Sequence, residues 1–200
     1  AEHEHLASQG AELVELRLDF IKGDIHFKEL LGKRPGPVIA TCRREQDGGK
    51  YSGSEETRQS ILRMAVAQGV DYIDLEEDVA STVPRYGKTK RIISLHDFRK
   101  TPEDLKDIHK RMSQLDADII KIATMANAPH DNIRMLELIK TSKTPTVGIC
   151  MGEVGAPSRL LAGRFGAPFT YATFSSERAL APGQLSYEEM ARVFRYDRIG

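Results

Sequence analysis

The sequence predicts an α/β chain of the (β/α)8 TIM barrel class, and three observations carry that prediction. Short β-branched runs alternate with amphipathic, helix-spaced segments along the whole chain, which is the pattern of a parallel sheet flanked by helices. Polar strand-end residues (Glu15, Arg43, Glu76, His96, Lys121) recur at intervals of roughly one strand–helix unit. The alternative, an open doubly wound sheet, calls for a glycine-rich phosphate loop after its first strand, and neither GxGxxG nor GxxxxGK[ST] occurs.

Taken in order, residues 2–9 read as the end of a helix stopped by Gly10. Residues 12–19 alternate with period two, with Val14, Leu16 and Leu18 on one face and Leu13, Glu15 and Arg17 on the other. A helical patch at 25–32 closes at Gly32 and Pro35, and residues 38–43 form a strand with Asp47-Gly48-Gly49 as its loop. Residues 55–68 fit an amphipathic helix with Ile61, Leu62, Ala65 and Val66 on its buried side and Gly69 as its stop. Strands are expected at 72–76, 91–96, 118–124, 146–150 and 168–174. Helices are expected from Thr101-Pro102-Glu103-Asp104 to about Leu115, and over 129–141, 156–162 and 187–195. This makes seven strands, one short of a barrel. One repeat before Glu15 falls ahead of residue 1, so the absent strand is expected to be the first, with residues 2–9 the remainder of its helix.

Composition narrows the function. Two hundred residues with 40% hydrophobic content suit a single domain over 1–200 with one core. The formal net charge is zero, which offers no electrostatic footprint for nucleic acid or an anionic membrane. No apolar run approaches a membrane span and no signal peptide is visible. Cys42 and Cys150 sit in strand-like segments outside any CxxC pair, and read as buried thiols of a reducing cytoplasm. His3 and His5, alternating with Glu2 and Glu4, read as a solvated helix face, and no metal site is expected.

The run Asp118-Ile119-Ile120-Lys121-Ile122-Ala123-Thr124 holds the chain's main anomaly. By alternation Lys121 shares a face with Ile119 and Ala123, and burying an ammonium is costly unless it is paired or neutralised. With a free pKa near ~10.4, only about one lysine in a few thousand is a neutral nucleophile at pH 7, and desolvation raises that fraction. An amine so placed can attack a carbonyl; the plainer reading is a lysine that reaches the strand end or pairs with a carboxylate. His96, on the preceding strand, can move a proton at neutral pH beside an imine, or can be a strand-end imidazole held by Asp97 or a carbonyl. Glu15 and Arg17, two apart on one face, read as a paired carboxylate and guanidinium that hold substrate hydroxyls, form an ion pair at the mouth, or both. Arg159, opening the helix after the Cys150 strand, suits a carboxylate or phosphate, or is an ordinary surface arginine. Gln184 follows in the loop Ala181-Pro182-Gly183-Gln184, within reach of the mouth.

At these residues the chain resembles the type I 3-dehydroquinate dehydratases of the shikimate pathway, over nearly its whole length. Glu15-Leu16-Arg17-Leu18-Asp19 is similar to the family's ExRxD strand. Thr41-Cys42-Arg43 with Asp47-Gly48-Gly49 is similar to its TxR and EGG segment. Ser94-Leu95-His96-Asp97-Phe98 with Thr101-Pro102 resembles the histidine motif, and Lys121-Ile122-Ala123 the imine-forming lysine segment. Met151-Gly152 through Ser158-Arg159, and Ala181 to Gln184, resemble the last two motifs. The resemblance implies a lyase that eliminates water from 3-dehydroquinate in the syn sense, without metal or organic cofactor, as a cytoplasmic homodimer. By the same likeness Lys121 forms the imine at the C3 ketone and His96 removes a C2 proton. Arg159 and Gln184 hold the substrate carboxylate and a nearby hydroxyl, while Glu15, Arg17 and Arg43 hold ring hydroxyls, with Asp47 and Glu76 in support. Two positions depart from the pattern. Asp47 stands where many members carry the longer Glu, which implies a lost or water-bridged hydrogen bond to the histidine. Leu180 stands where a hydroxyl residue often helps bind substrate.

Two other functions fit the residues. A class I aldolase on phosphorylated sugars calls for a phosphate site near the last two strands, where this chain offers Arg159 and Gln184, better matched to a carboxylate. A non-catalytic metabolite sensor on the same fold has no need of both Lys121 and His96.

Overall fold

The structure, a computed structural model, describes residues 2–175 and 181–194. The chain divides into two compact units, Ala1–Ile92 and Ile93–Gly200.

The first unit carries α1 (Glu2–Ser8), β1 (Val14–Arg17), α2 (Phe27–Leu31), β2 (Val38–Thr41), α3 (Glu55–Ala67) and β3 (Tyr72–Glu76). β1 pairs with β2, and β2 with β3, all parallel, with Arg17 opposite Thr41 and Ala40 opposite Ile73. All four residues of β2 are buried, as a strand covered on both faces should be. The expected strand at 12–19 is shorter than its alternation suggested. The chain turns into a single 3-10 turn at Leu18–Phe20, where the Asp19 carboxylate accepts from the Arg17 guanidinium and the Lys50 N–H. Helix α3 starts where Ser54 Oγ accepts from the Thr57 N–H at 3.2 Å, and it stops before Gly69, whose φ is +77°. Its buried face is Arg58, Leu62 and Ala65; Ile61 and Val66, expected there, are only half-buried.

The second unit carries most of β4 (Lys90–Asp97), then α4 (Leu105–Met112), β5 (Ile119–Met125), α5 (Pro129–Thr141), β6 (Thr146–Met151) and α6 (Ala156–Leu161). β5 and β6 are parallel and in register from Ile120 opposite Thr146 to Met125 opposite Met151. One glycine tells which face is which. A Cβ on Gly148 would come within 2.6 Å of Met135 Sδ and 3.0 Å of Ile139 Cδ1 in α5, so this position faces the helices and only glycine lets α5 sit so close. Ile122 is opposite Gly148, and neighbouring residues of a parallel pair share a face. Ile120, Ile122 and Thr124 therefore face the helix layer, and Ile119, Lys121 and Ala123 face away from it. His109 of α4 ties the helix layer to the sheet through Thr146 Oγ1 at 2.8 Å, and burial holds its pKa below the usual histidine value.

Three expectations change. Residues 168–174 do not form a strand: a single bridge pairs Thr173 with Ser186, and the stretch opens with Pro168, which has no N–H to give a ladder. Thr101 to Asp104 does not cap α4 through a side chain. Thr101 Oγ1 instead lies 2.9 Å from Thr124 Oγ1 and donates to the Met125 carbonyl, fastening the loop after β4 to the end of β5. The final helix is two helical residues followed by a π-helix at Glu189–Val193, opened by a reciprocal Ser186–Glu189 cap; Arg195 lies outside the described residues, as does Leu180. No helix among the described residues is long and apolar enough to cross a membrane.

Candidate active site

Lys121 is 6% exposed, on the face of β5 turned away from the helices. Its Nζ lies 4.2 Å from the centre of the Tyr171 ring, a cation–π geometry. The amine is therefore held inside the protein, and the reading in which it reaches solvent at the strand end does not apply. Tyr171 itself packs edge-on against Phe169 at 5.6 Å. Alternation gives no sign of Tyr171, because it sits in the irregular stretch after Pro168, where period-two spacing does not report where a ring points.

His96 lies near the C-terminal end of β4, which precedes β5 in the strand order. It is half-buried, and its ring stacks near-parallel on Phe98 with centroids 6.2 Å apart. Asp97 Oδ1 accepts from the Arg99 and Lys100 N–H groups and shapes the turn after the strand.

Arg159 is 2% exposed, which removes the surface-arginine reading. Its Nε is buried without a hydrogen-bond partner, and no carboxylate pairs with the guanidinium among the described residues. Burial pulls its pKa down to about 10, opposed by the nearby Cys150, so it stays a cation at neutral pH with its desolvation unrepaid. Such a group is made whole by an anion. The helix that carries it is anchored tightly: Ser158 Oγ donates to the Gly155 carbonyl and accepts from the Cys150 N–H, and the Ser158 N–H donates to Asn132.

The Ala181–Gln184 turn docks on the end of β6. Gly152 N–H donates to the Pro182 carbonyl at 2.9 Å. Gly183, at φ +68°, lies so close to Gly152 that a Cβ would fall 2.3 Å from its carbonyl oxygen, so this turn needs glycine twice over. Gln184 is half-buried at its end.

In the first unit the predicted residues form a charge cluster. Arg43 is 3% exposed, and it donates to Glu76 Oε1 at 2.6 Å and faces Asp74 Oδ1 at 2.7 Å. Burial works against its charge, but the two carboxylates outweigh that and raise its pKa above the usual arginine value. Glu15 accepts from the Thr41 hydroxyl at 2.8 Å. Arg17 makes a two-point ion pair, at 2.8 and 2.7 Å, with Asp19, the aspartate of the ExRxD stretch. Burial raises the Asp19 carboxyl and the Arg17 pair lowers it further, leaving it below the ordinary carboxylate range. Asp47 meets Arg44 at 2.5 Å, and Arg44 also takes both oxygens of Asp78. Asp74 and Arg58 are further members of the cluster, outside the motifs in the sequence. For Arg58 a signal existed: it is four residues before Leu62 and seven before Ala65, on the buried stripe of α3. Cys42 and Cys150 are buried free thiols, and burial pushes Cys42 up to about 12.

The chain is similar to known proteins over its whole length. The family model for type I 3-dehydroquinase matches residues 1–200. A bifunctional 3-dehydroquinate dehydratase/shikimate dehydrogenase of Arabidopsis thaliana is 39% identical over 96% of this chain, which spans 34% of that longer protein. A 3-dehydroquinate dehydratase of Dehalococcoides mccartyi is 37% identical over 94% of this chain and 87% of its own length. Among solved structures, a type I 3-dehydroquinate dehydratase of Clostridium difficile with covalent modified comenic acid is 28% identical. It covers 99% of this chain and 87% of its own, with a TM-score of 0.85. The dehydratase of Geobacillus kaustophilus, at 24% identity and a TM-score of 0.83, shares the fold. The barrel class predicted from strand–helix alternation is the fold of these neighbours. The chain belongs to the type I 3-dehydroquinase family and is a lyase of that family's kind.

Proposed function

We propose that the chain dehydrates 3-dehydroquinate to 3-dehydroshikimate through an imine on Lys121. The observation that carries this reading is an amine buried against the Tyr171 ring, in the same unit as a buried guanidinium that pairs with no carboxylate among the described residues. A substrate bearing both a ketone and a carboxylate suits the amine and the guanidinium. Lys121 Nζ adds to the C3 carbonyl carbon, and loss of the carbonyl oxygen as water leaves an iminium. His96 takes a C2 proton, the electron pair moves into an enamine, and its return expels the C1 hydroxyl, which leaves as water carrying the proton from His96. Hydrolysis of the iminium frees the enone and the amine. Arg159 holds the carboxylate, Gln184 a neighbouring hydroxyl, and Glu15, Arg17 and Arg43 the ring hydroxyls, with Asp47 and Glu76 supporting them. The covalently modified ligand in the Clostridium difficile relative is in keeping with a nucleophile in such a site. The proposal also includes a cytoplasmic homodimer of single-domain chains that uses no metal or organic cofactor, a state that sedimentation tests directly.

Borohydride reduction in the presence of 3-dehydroquinate, followed by peptide mass spectrometry, is expected to leave a reduced adduct on Lys121 alone. A turning-over enzyme with no adduct there removes the imine route. Arg159→Met is expected to raise KM for 3-dehydroquinate about 10- to 100-fold, the worth of one charge-assisted hydrogen bond to an ion. An unchanged KM in that variant takes the carboxylate away from Arg159.

A further inference from the structure

A fully buried cation of the first unit is absent from the roles assigned above. Arg58 is 0% exposed, and its guanidinium makes contacts in three directions. Nη1 donates to Glu76 Oε2 at 2.7 Å and to the Cys42 carbonyl at 2.8 Å, while Nε and Nη2 take both oxygens of Glu55, each at 2.8 Å. The two inner contacts converge on Arg43 by different routes. Glu76 shares its carboxylate between the two arginines, Oε1 to Arg43 and Oε2 to Arg58. The Cys42 carbonyl belongs to the peptide unit that leads into Arg43, so the same guanidinium grips both the backbone before Arg43 and the carboxylate that aims its side chain. Without Arg58, Glu76 would have one cation rather than two and freedom to rotate, and the peptide at Cys42 would lose its acceptor's partner.

From this we infer that Arg58 is a positioning residue for substrate binding, acting on Arg43 through Glu76 and the Cys42 carbonyl. This rests on the reading of Arg43 as a group that holds substrate hydroxyls. Arg58 touches no reacting atom; it sets the angle at which Arg43 is presented. Lysine cannot replace it, because one ammonium on a flexible stem cannot hold Glu76, a carbonyl and both oxygens of Glu55 in one plane. Glu55, with its side chain 38% exposed, is the outer anchor of the same clamp.

The test is steady-state kinetics with 3-dehydroquinate on the whole chain, with melting temperature measured beside it. Arg58→Lys is expected to raise KM about tenfold with kcat within about threefold of wild type, because the interaction lost is one made equally in ground and transition states. Arg43→Met is expected to raise KM by at least as much, and adding Arg58→Lys to it should change KM no further, since both act through one contact. Glu55→Gln loosens the clamp from its exposed end and is expected to stay folded and raise KM about two- to threefold. A lowered melting temperature with wild-type KM in Arg58→Lys and Glu55→Gln, while Arg43→Met raises KM, overturns the positioning role and leaves Arg43 in the site. Independent, additive effects of Arg58→Lys and Arg43→Met overturn it too. Wild-type KM in Arg43→Met removes Arg43 from substrate binding, and the role of Arg58 falls with it.

Discussion

Lys121→Ala is expected to abolish turnover while the protein keeps its fold. The amine is the one group in the proposed route with no substitute. Without it the C3 carbonyl stays a ketone, and C2 keeps the acidity of a carbon beside a neutral carbonyl, well below that beside an iminium. Loss of an essential nucleophile typically costs on the order of 10⁴-fold or more in kcat. The fold should survive because β5 is held by the Ile120, Ile122 and Thr124 face, packed under the helices and registered against β6, and Lys121 is on the other side. Alanine also relieves the desolvation cost of a buried amine, which offsets part of the lost packing against Tyr171. The check is continuous ultraviolet detection of the conjugated product, with circular dichroism as the folding control. A folded variant that runs within tenfold of the wild-type rate sinks the imine mechanism.

His96→Ala separates bond formation from proton transfer. The lysine remains, so borohydride should still fix substrate to Lys121, whereas kcat should fall about 10²- to 10⁴-fold, the usual worth of a positioned acid–base group. The His96 ring is half-buried and stacks on Phe98, itself exposed, so its removal is not expected to unfold the chain. Rapid-quench measurement is expected to find adduct accumulating at near wild-type speed ahead of slow product release. Wild-type kcat in this variant excludes His96 as the base; failure to form adduct would mean that the imidazole is needed earlier, at imine formation.

Much of the fold was legible before the structure because hydrophobic periodicity reports how each residue faces its local environment. The strand at 72–76 and the helix at 129–141 appear with those bounds, since each has a clean pattern and strong ends, Gly69 before one and Pro129 opening the other. Where the pattern mixed signals it misled. Phe169 and Tyr171 alternate with smaller residues as a strand would, but Pro168 and the pairing of Thr173 with Ser186 take that stretch out of the sheet. Helix α3 buries a stripe that contains Arg58, which a reading confined to apolar residues rotates toward Ile61 and Val66.

The sequence by itself determined the alternation of strands and helices, the face of β5 on which Lys121 lies, and the family motifs around Glu15, Arg43, His96, Lys121, Arg159 and Gln184. The first two follow from contacts between residues a few positions apart, where 2.0 and 3.6 residue periods leave little freedom, and the motifs rest on the family resemblance. Only the tertiary structure decided which charges meet. It gave Arg43 to Glu76 and Asp74, put Arg58 behind Glu76, set Tyr171 over the amine of Lys121, and left Arg159 buried with no carboxylate partner among the described residues. Such pairings join residues far apart in the chain, and their partners are chosen by strand register, helix packing and the cost of leaving a charge alone in a low dielectric. None of these is written in any one segment.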